Sequence, residues 1–142
     1  MKFDHVGVVC KTLEFGRKIL SETLLIGDWT AEIADSVNHV RVQFGRDGSG
    51  ICYELIAPFD DRSPILLALK KGVRVLNHIA YLVDDLDRES ARLVAAGCTP
   101  TGPSAPAIAY GGRRIQFFMN ELQLITELIE APDHQHAYRQ AP

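Results

Sequence analysis

The sequence predicts an α+β fold made of two tandem βαβββ modules. One observation behind this is a repeat at a fixed spacing of 73 residues. His5-Val6-Gly7-Val8 returns as His78-Ile79-Ala80-Tyr81, Arg41-Val42-Gln43-Phe44 as Arg114-Ile115-Gln116-Phe117, and Glu54-Leu55-Ile56 as Glu127-Leu128-Ile129. Self-similarity at such a period marks structural units with one internal layout. Another is that each unit opens on a Val/Ile-rich run, passes through a helical pattern and closes on a hairpin-like pair. The length, 142 residues with 46% hydrophobic, suits one ordinary domain with a sizeable core.

The elements follow in order. Phe3 to Cys10 is bounded by polar residues and reads as a strand. Thr12 is placed to cap a helix whose inward stripe is Leu13, Ile19, Leu20 and Leu24, with Gly27-Asp28 as its break. A strand is expected from Trp29 to Ile33. Val40 to Phe44 and Ile51 to Ala57 form a hairpin around the turn residues Arg46-Asp47-Gly48-Ser49-Gly50. Pro58 to Arg74 connects the modules, with Ser63-Pro64 starting a short helix over Ile65 to Lys71 and Gly72 stopping it. The second module repeats the plan: strand Leu76 to Val83, helix Leu86 to Ala96 ended by Gly97, short strand Cys98 to Thr101, Pro-rich loop Gly102 to Ala109, then the hairpin Arg113 to Phe118 and Leu124 to Glu130. The expected organisation is one domain over residues 1–132, with module one at 1–57, the connection at 58–74 and module two at 75–132. Residues 133–142 are polar and are expected to form a loose tail, His134 and His136 included.

Composition narrows the function classes. A formal net charge of −3 gives no strong field for nucleic acid. No apolar run approaches the roughly 20 residues of a membrane helix, so no membrane partner is expected. The first residues lack the long apolar segment of a signal peptide, so a cytoplasmic location is expected. Cys10, Cys52 and Cys98 form no C-x-x-C pair, and their repeat positions are apolar; they read as core residues.

Four residues stand out as metal ligands: His5, Glu54, His78 and Glu127. Side chains alternate faces along a strand, so His5, Gly7 and Val9 share one face, and His78, Ala80 and Leu82 the matching one. Each Glu sits between apolar neighbours on its own face, a costly place for a carboxylate unless it is paired or metal-bound. A pseudo-twofold axis relating the modules would bring two imidazoles and two carboxylates to one centre, a donor set that suits a divalent first-row ion. The small Gly7 and Ala80 are expected to leave space beside the imidazoles for an open coordination sphere. Gln43 and Gln116 either line the cleft or close the outer face of the sheet.

Phe3-Asp4-His5-Val6-Gly7-Val8, Glu54-Leu55-Ile56-Ala57-Pro58 followed by Arg62-Ser63-Pro64-Ile65, Asn77-His78-Ile79-Ala80-Tyr81-Leu82-Val83-Asp84-Asp85-Leu86 and Thr126-Glu127-Leu128-Ile129-Glu130 together resemble the vicinal oxygen chelate superfamily, the glyoxalase and bleomycin-resistance fold. Within it the segments look most like methylmalonyl-CoA epimerase. The resemblance runs from Phe3 to about Ala131. It implies a mixed sheet curled around a metal cleft, the ligands His5, Glu54, His78 and Glu127, one divalent ion (Zn, Co, Ni, Mn or Fe), and a homodimer. It also implies Asp35 as an acidic residue that moves a proton. Where the epimerase has a His-Gly-Lys-type loop, this chain has Tyr110-Gly111-Gly112-Arg113-Arg114.

The expected activity is that of a metal-dependent epimerase or isomerase. A carbonyl is polarised, an α-proton is taken, and Glu127 and Asp35 serve opposite faces of the enolate. The substrate expected is a small carbonyl compound or acyl thioester, with Lys70, Lys71, Arg74, Arg113 and Arg114 available to meet phosphates. The same fold also accommodates a glyoxalase I-like lyase or a metal-free small-molecule binding or resistance protein.

Overall fold

The computed structural model describes residues 1–72 and 76–139. Its elements in chain order are β1 (Lys2–Val9), α1 (Leu13–Leu24), β2 (Asp28–Trp29), β3 (Ile33–Asp35), β4 (Val40–Arg46), β5 (Cys52–Pro58), α2 (Leu66–Lys70), β6 (Leu76–Leu82), α3 (Leu86–Ala95), β7 (Thr99–Pro100), β8 (Ala105–Ala107), β9 (Arg113–Met119) and β10 (Ile125–Ile129), with a turn of 3₁₀ helix over Ile108–Tyr110 before β9. The strands join one curled mixed sheet in the order β2-β4-β5-β1-β6-β10-β9-β7, with β3 also on β4 and β8 also on β9.

The register shows the expected pseudo-twofold. β1 runs parallel to β5 with Gly7 opposite Glu54, and β6 runs parallel to β10 with Ala80 opposite Glu127. Between the halves β1 and β6 pair antiparallel, setting His5 opposite Ala80, Gly7 opposite His78 and Val6 opposite Ile79. The axis therefore passes at Val6 and Ile79. Apolar side chains bury between the helices and the outer faces of the sheet: Leu13 of α1 with Cys10, Leu55 and Ala57, and Leu86 and Leu93 of α3 with Val83, Phe118 and Leu128. Burial contributes about 1.5–3 kcal/mol for each large side chain removed from water.

Several local expectations are corrected. Thr12 does cap α1, accepting from the Phe15 N–H at 3.2 Å. The helix meets the sheet through Leu13 and Gly16 rather than through Ile19 and Leu24, which stay exposed. A Cβ at Gly16 would lie 2.8 Å from Leu55 and 2.9 Å from the Cys10 sulfur, so this glycine sets how closely helix and sheet approach. The strand expected from Trp29 to Ile33 is split in two, because the Thr30 hydroxyl rather than a backbone carbonyl meets the Phe44 N–H, at 3.1 Å. The Pro-rich loop contains β8, and α3 begins after the cap Asp85, whose side chain accepts from the Arg88 N–H. Cys10 and Cys52 are buried, as core residues should be, and burial pushes both thiols up to about 11.

The loose tail is the largest correction. Residues 134–139 return over module one with every second residue, His134, His136 and Tyr138, partly buried. The Arg139 N–H donates to the Trp29 carbonyl at 2.8 Å, the Tyr138 ring lies 4.4 Å from the Arg46 guanidinium, and His136 stacks on Phe44 at 4.0 Å between ring centroids. Aromatic stacking and a cation–π contact supply what the polar composition concealed. No helix among the described residues is long and apolar enough to cross a membrane.

Candidate metal centre

The four residues singled out by the repeat meet at one point. His5 and His78 project from the central strands β1 and β6, and Glu54 and Glu127 from their parallel neighbours β5 and β10. All four are buried. The Nε2 atoms of the two histidines lie 2.9 Å apart. His5 Nε2 is 3.1 Å from Glu54 Oε2 and 3.4 Å from Glu127 Oε2, while His78 Nε2 is 3.4 Å and 3.0 Å from the same two oxygens.

These residues fit a divalent ion. Bonds of about 2.0–2.2 Å set neighbouring ligand atoms about 3.0–3.5 Å apart, close to the spacing seen. Two ring nitrogens directed at each other beside two carboxylate oxygens form the mixed N/O donor set that first-row ions prefer. Phe44 stands edge-on to His5 at 5.4 Å and Phe117 edge-on to His78 at 5.2 Å, so each ring is braced by its own module.

Gly7 has a different use from the one expected. The cross-strand pairing fills the space above it with the His78 ring: a Cβ on Gly7 would lie 2.3 Å from His78 Cε1. The residue is small so that the imidazole can lie across the backbone. Ala80, opposite His5, is fully buried.

Electrostatics bind the cluster together. Burial alone would push His5 down, but the Glu54 charge and the hydrogen bonds with Asp4, Glu127 and Glu54 carry it well above the ordinary histidine value. His78 is raised against the same burial by Glu127 and Glu54. Glu54 is lowered despite burial, by the His5 charge and by hydrogen bonds to both histidines.

A second network backs His5 and was missed in the sequence. A register shift between Phe3 and His5 turns Asp4 toward the same side as the imidazole, against strict alternation. Asp4 Oδ2 lies 2.9 Å from His5 Nδ1, 3.0 Å from His136 Nε2 and 2.7 Å from the Tyr110 hydroxyl. Burial raises the Asp4 carboxyl, but the hydrogen bonds from His136 and His5 outweigh it and hold the group far below the usual range. Burial and the Asp4 charge push Tyr110 well up, keeping its hydroxyl a donor. The detectable signal was the alternation His134, His136, Tyr138 in the last residues.

On one side of the cluster opens a cavity of about 650 Å³. Glu54, His78 and Glu127 line it together with apolar walls from Val42, Ile56, Ile65, Ala107, Ile115 and Phe117. This size and lining suit a small organic ligand.

Asp35 lines the same cavity but does not have the open oxygen expected of a proton carrier. Its Oδ1 accepts from the Val37 and Asn38 N–H groups, and its Oδ2 from the Asn38 side chain and the Ile108 N–H. Four bonds occupy a carboxylate's acceptor sites. Asp35 is a brace between the halves. Gln43 and Gln116 close the outer face: Gln43 bonds Arg17 and the Thr30 carbonyl, and Gln116 bonds Ser90 and the Gly102 carbonyl. Of the basic residues, Arg114 is engaged by Asp87 and Glu130, Lys70, Lys71 and Arg113 are exposed, and Arg74 lies outside the described residues.

Comparison with curated proteins finds no match. Among solved structures, methylmalonyl-CoA epimerase from Mycobacterium tuberculosis is similar at 23% identity and TM-score 0.69, over 90% of this chain and 86% of that one. A hypothetical protein from Bacillus halodurans C-125 is similar at 18% identity and TM-score 0.73, over 96% and 98%. A variant methylmalonyl-CoA epimerase from Streptomyces coelicolor, in complex with 2-nitronate-propionyl-CoA, is similar at 22% identity and TM-score 0.66, over 91% and 96%. These likenesses bear out the fold. The family profile described as Glyoxalase/Bleomycin resistance protein/Dioxygenase superfamily matches residues 4–117, and the chain belongs to that superfamily.

Proposed function

We propose that this protein is a divalent-metal-dependent epimerase or isomerase that moves a proton on the carbon next to a carbonyl, on a small acyl thioester or related carbonyl compound. The observation that carries the reading is the convergence of His5, Glu54, His78 and Glu127 on one point, with the last three lining a largely apolar cavity. The likeness to methylmalonyl-CoA epimerases supports the thioester class.

In this reading the four residues hold the ion through Nε2 of each histidine and a carboxylate oxygen of each glutamate. When bound, the ion supplies Lewis-acid polarisation of the substrate carbonyl and charge to offset the enolate. The chain does the rest. The apolar walls exclude water and orient the acyl group. Glu127, which lines the cavity, accepts the α-proton; delivery of a proton to the opposite face of the enolate completes an epimerisation, and delivery to the neighbouring carbon an isomerisation. Asp35 keeps the wall in place by tying the β3 turn to the Ile108 backbone.

The test is proton exchange in deuterated water with 2-substituted acyl thioesters and with hemithioacetals. Exchange at the α-carbon of the thioester, dependent on added metal and lost in Glu127→Gln, is expected. Turnover of hemithioacetals instead would assign a glyoxalase I-like lyase. Tight binding of small molecules without metal or exchange would assign a binding protein.

A further inference from the structure

The C-terminal segment reaches the metal centre from behind. We propose that His136 is a positioning residue for the metal ligand His5, acting through Asp4, so that the segment 134–139 sets the affinity of the ion. The proposal rests on the metal reading above.

Hydrogen-bond polarity fixes the arrangement. An ionised carboxylate only accepts, so Asp4 Oδ2 takes the Nδ1 proton of His5 at 2.9 Å and the Nε2 proton of His136 at 3.0 Å. The Tyr110 hydroxyl is its third donor, at 2.7 Å. With its Nδ1 proton held by Asp4, His5 meets an ion through Nε2, the atom that faces His78, Glu54 and Glu127. With its proton on Nε2, His136 has an accepting Nδ1, and His134 Nε2 stands 3.4 Å from it as donor. Every proton in the chain His134, His136, Asp4, His5 is thus accounted for, and the donors of both flanking histidines converge on Asp4. Partners that orient a ligating histidine in this way contribute about 10–100-fold to metal affinity.

Packing holds His136 in place. Its side chain is 8% exposed, stacked on Phe44 with the rings 27° apart, and Phe44 in turn stands against His5. Tyr138 on Arg46 and the Arg139–Trp29 backbone bond secure the segment beyond it.

Two variants separate the hydrogen bond from the packing. His136→Phe keeps an aromatic ring on Phe44 but gives Asp4 no donor; His136→Gln keeps a donor but loses the ring. Zinc and cobalt dissociation constants are measured by chelator competition on the full chain. The exchange rate of the His5 Nδ1 proton in the zinc-loaded protein is read by NMR, and folding by thermal unfolding. The expected result is a roughly tenfold weaker Kd and faster Nδ1 exchange in His136→Phe, with His136→Gln closer to wild type. Wild-type Kd and exchange in a folded His136→Phe would overturn the proposal while leaving the metal reading intact. A wild-type protein that binds no ion would overturn both.

Discussion

His5 and His78 hold equivalent places in the two modules, yet their surroundings differ. Each faces the phenylalanine of its own hairpin, and each lies opposite a small residue across the β1–β6 pair. Behind His5 stand Asp4, Tyr110 and His136. The repeat positions of Tyr110 and His136 are Val37, an exposed turn residue, and Ser63, which lies in the connection. Strand register alone places the four ligands symmetrically. What stands behind His5 comes from three parts of the chain: Asp4 from β1, Tyr110 from the second module and His136 from the C-terminal segment.

The ligands themselves give the sharpest test of the shared part. Alanine at His5, Glu54, His78 or Glu127 should each weaken zinc binding by roughly 100-fold, as expected if about 10–16 kcal/mol is shared among four ligands. Equilibrium dialysis with elemental analysis checks this. Similar losses in all four variants would mark a shared centre; losses confined to one module would break the symmetry argument.

Asp35 joins the two modules directly, since its carboxylate accepts the backbone N–H of Ile108, its own repeat position. Asn38 adds a bond to the Pro106 carbonyl. Asp35→Ala should cost about 2–4 kcal/mol in chemical denaturation, because several donors lose their acceptor together. Asp35→Asn separates brace from base. A brace predicts α-proton exchange within a fewfold of wild type alongside reduced stability, whereas a base predicts abolished exchange.

The small residues opposite the histidines are not interchangeable. Gly7→Ala should lower stability by about 1–3 kcal/mol and displace the His78 ring. Ala80→Gly should cost only about 0.5–1 kcal/mol. Thermal unfolding with and without zinc compares the two.

The charge balance of the centre predicts proton release. His5 and His78 are raised above 6.5 in the metal-free protein, so their stabilising contribution is complete below that value and is lost as pH rises through their folded values. Metal binding runs the other way and displaces protons. Calorimetry in buffers of different ionisation enthalpy should show net proton release that shrinks as pH rises, with ion affinity climbing over the same range.

Much of this was legible in the sequence because strand periodicity and a fixed spacing of 73 are both linear signals. His5, Glu54, His78 and Glu127 sit at repeat positions, and identical registers carry each pair to equivalent places. The misses arise where geometry departs from regular alternation. Asp4 reaches His5 through a register shift that no spacing announces. Asp35 has the residue type of a base, but the N–H groups of Val37 and Asn38 beside it and of Ile108 from the other module occupy it. His136 lies in a polar stretch whose value depends on Phe44 and Asp4, far away in the chain.

Crystals of the zinc-loaded protein, measured at the zinc absorption edge, test the central claim most directly. The account predicts one anomalous peak per chain, about 2.0–2.2 Å from His5 Nε2, His78 Nε2 and a carboxylate oxygen each of Glu54 and Glu127. No peak there, or an ion held instead by Asp4 and His136 on the other side of His5, would contradict it.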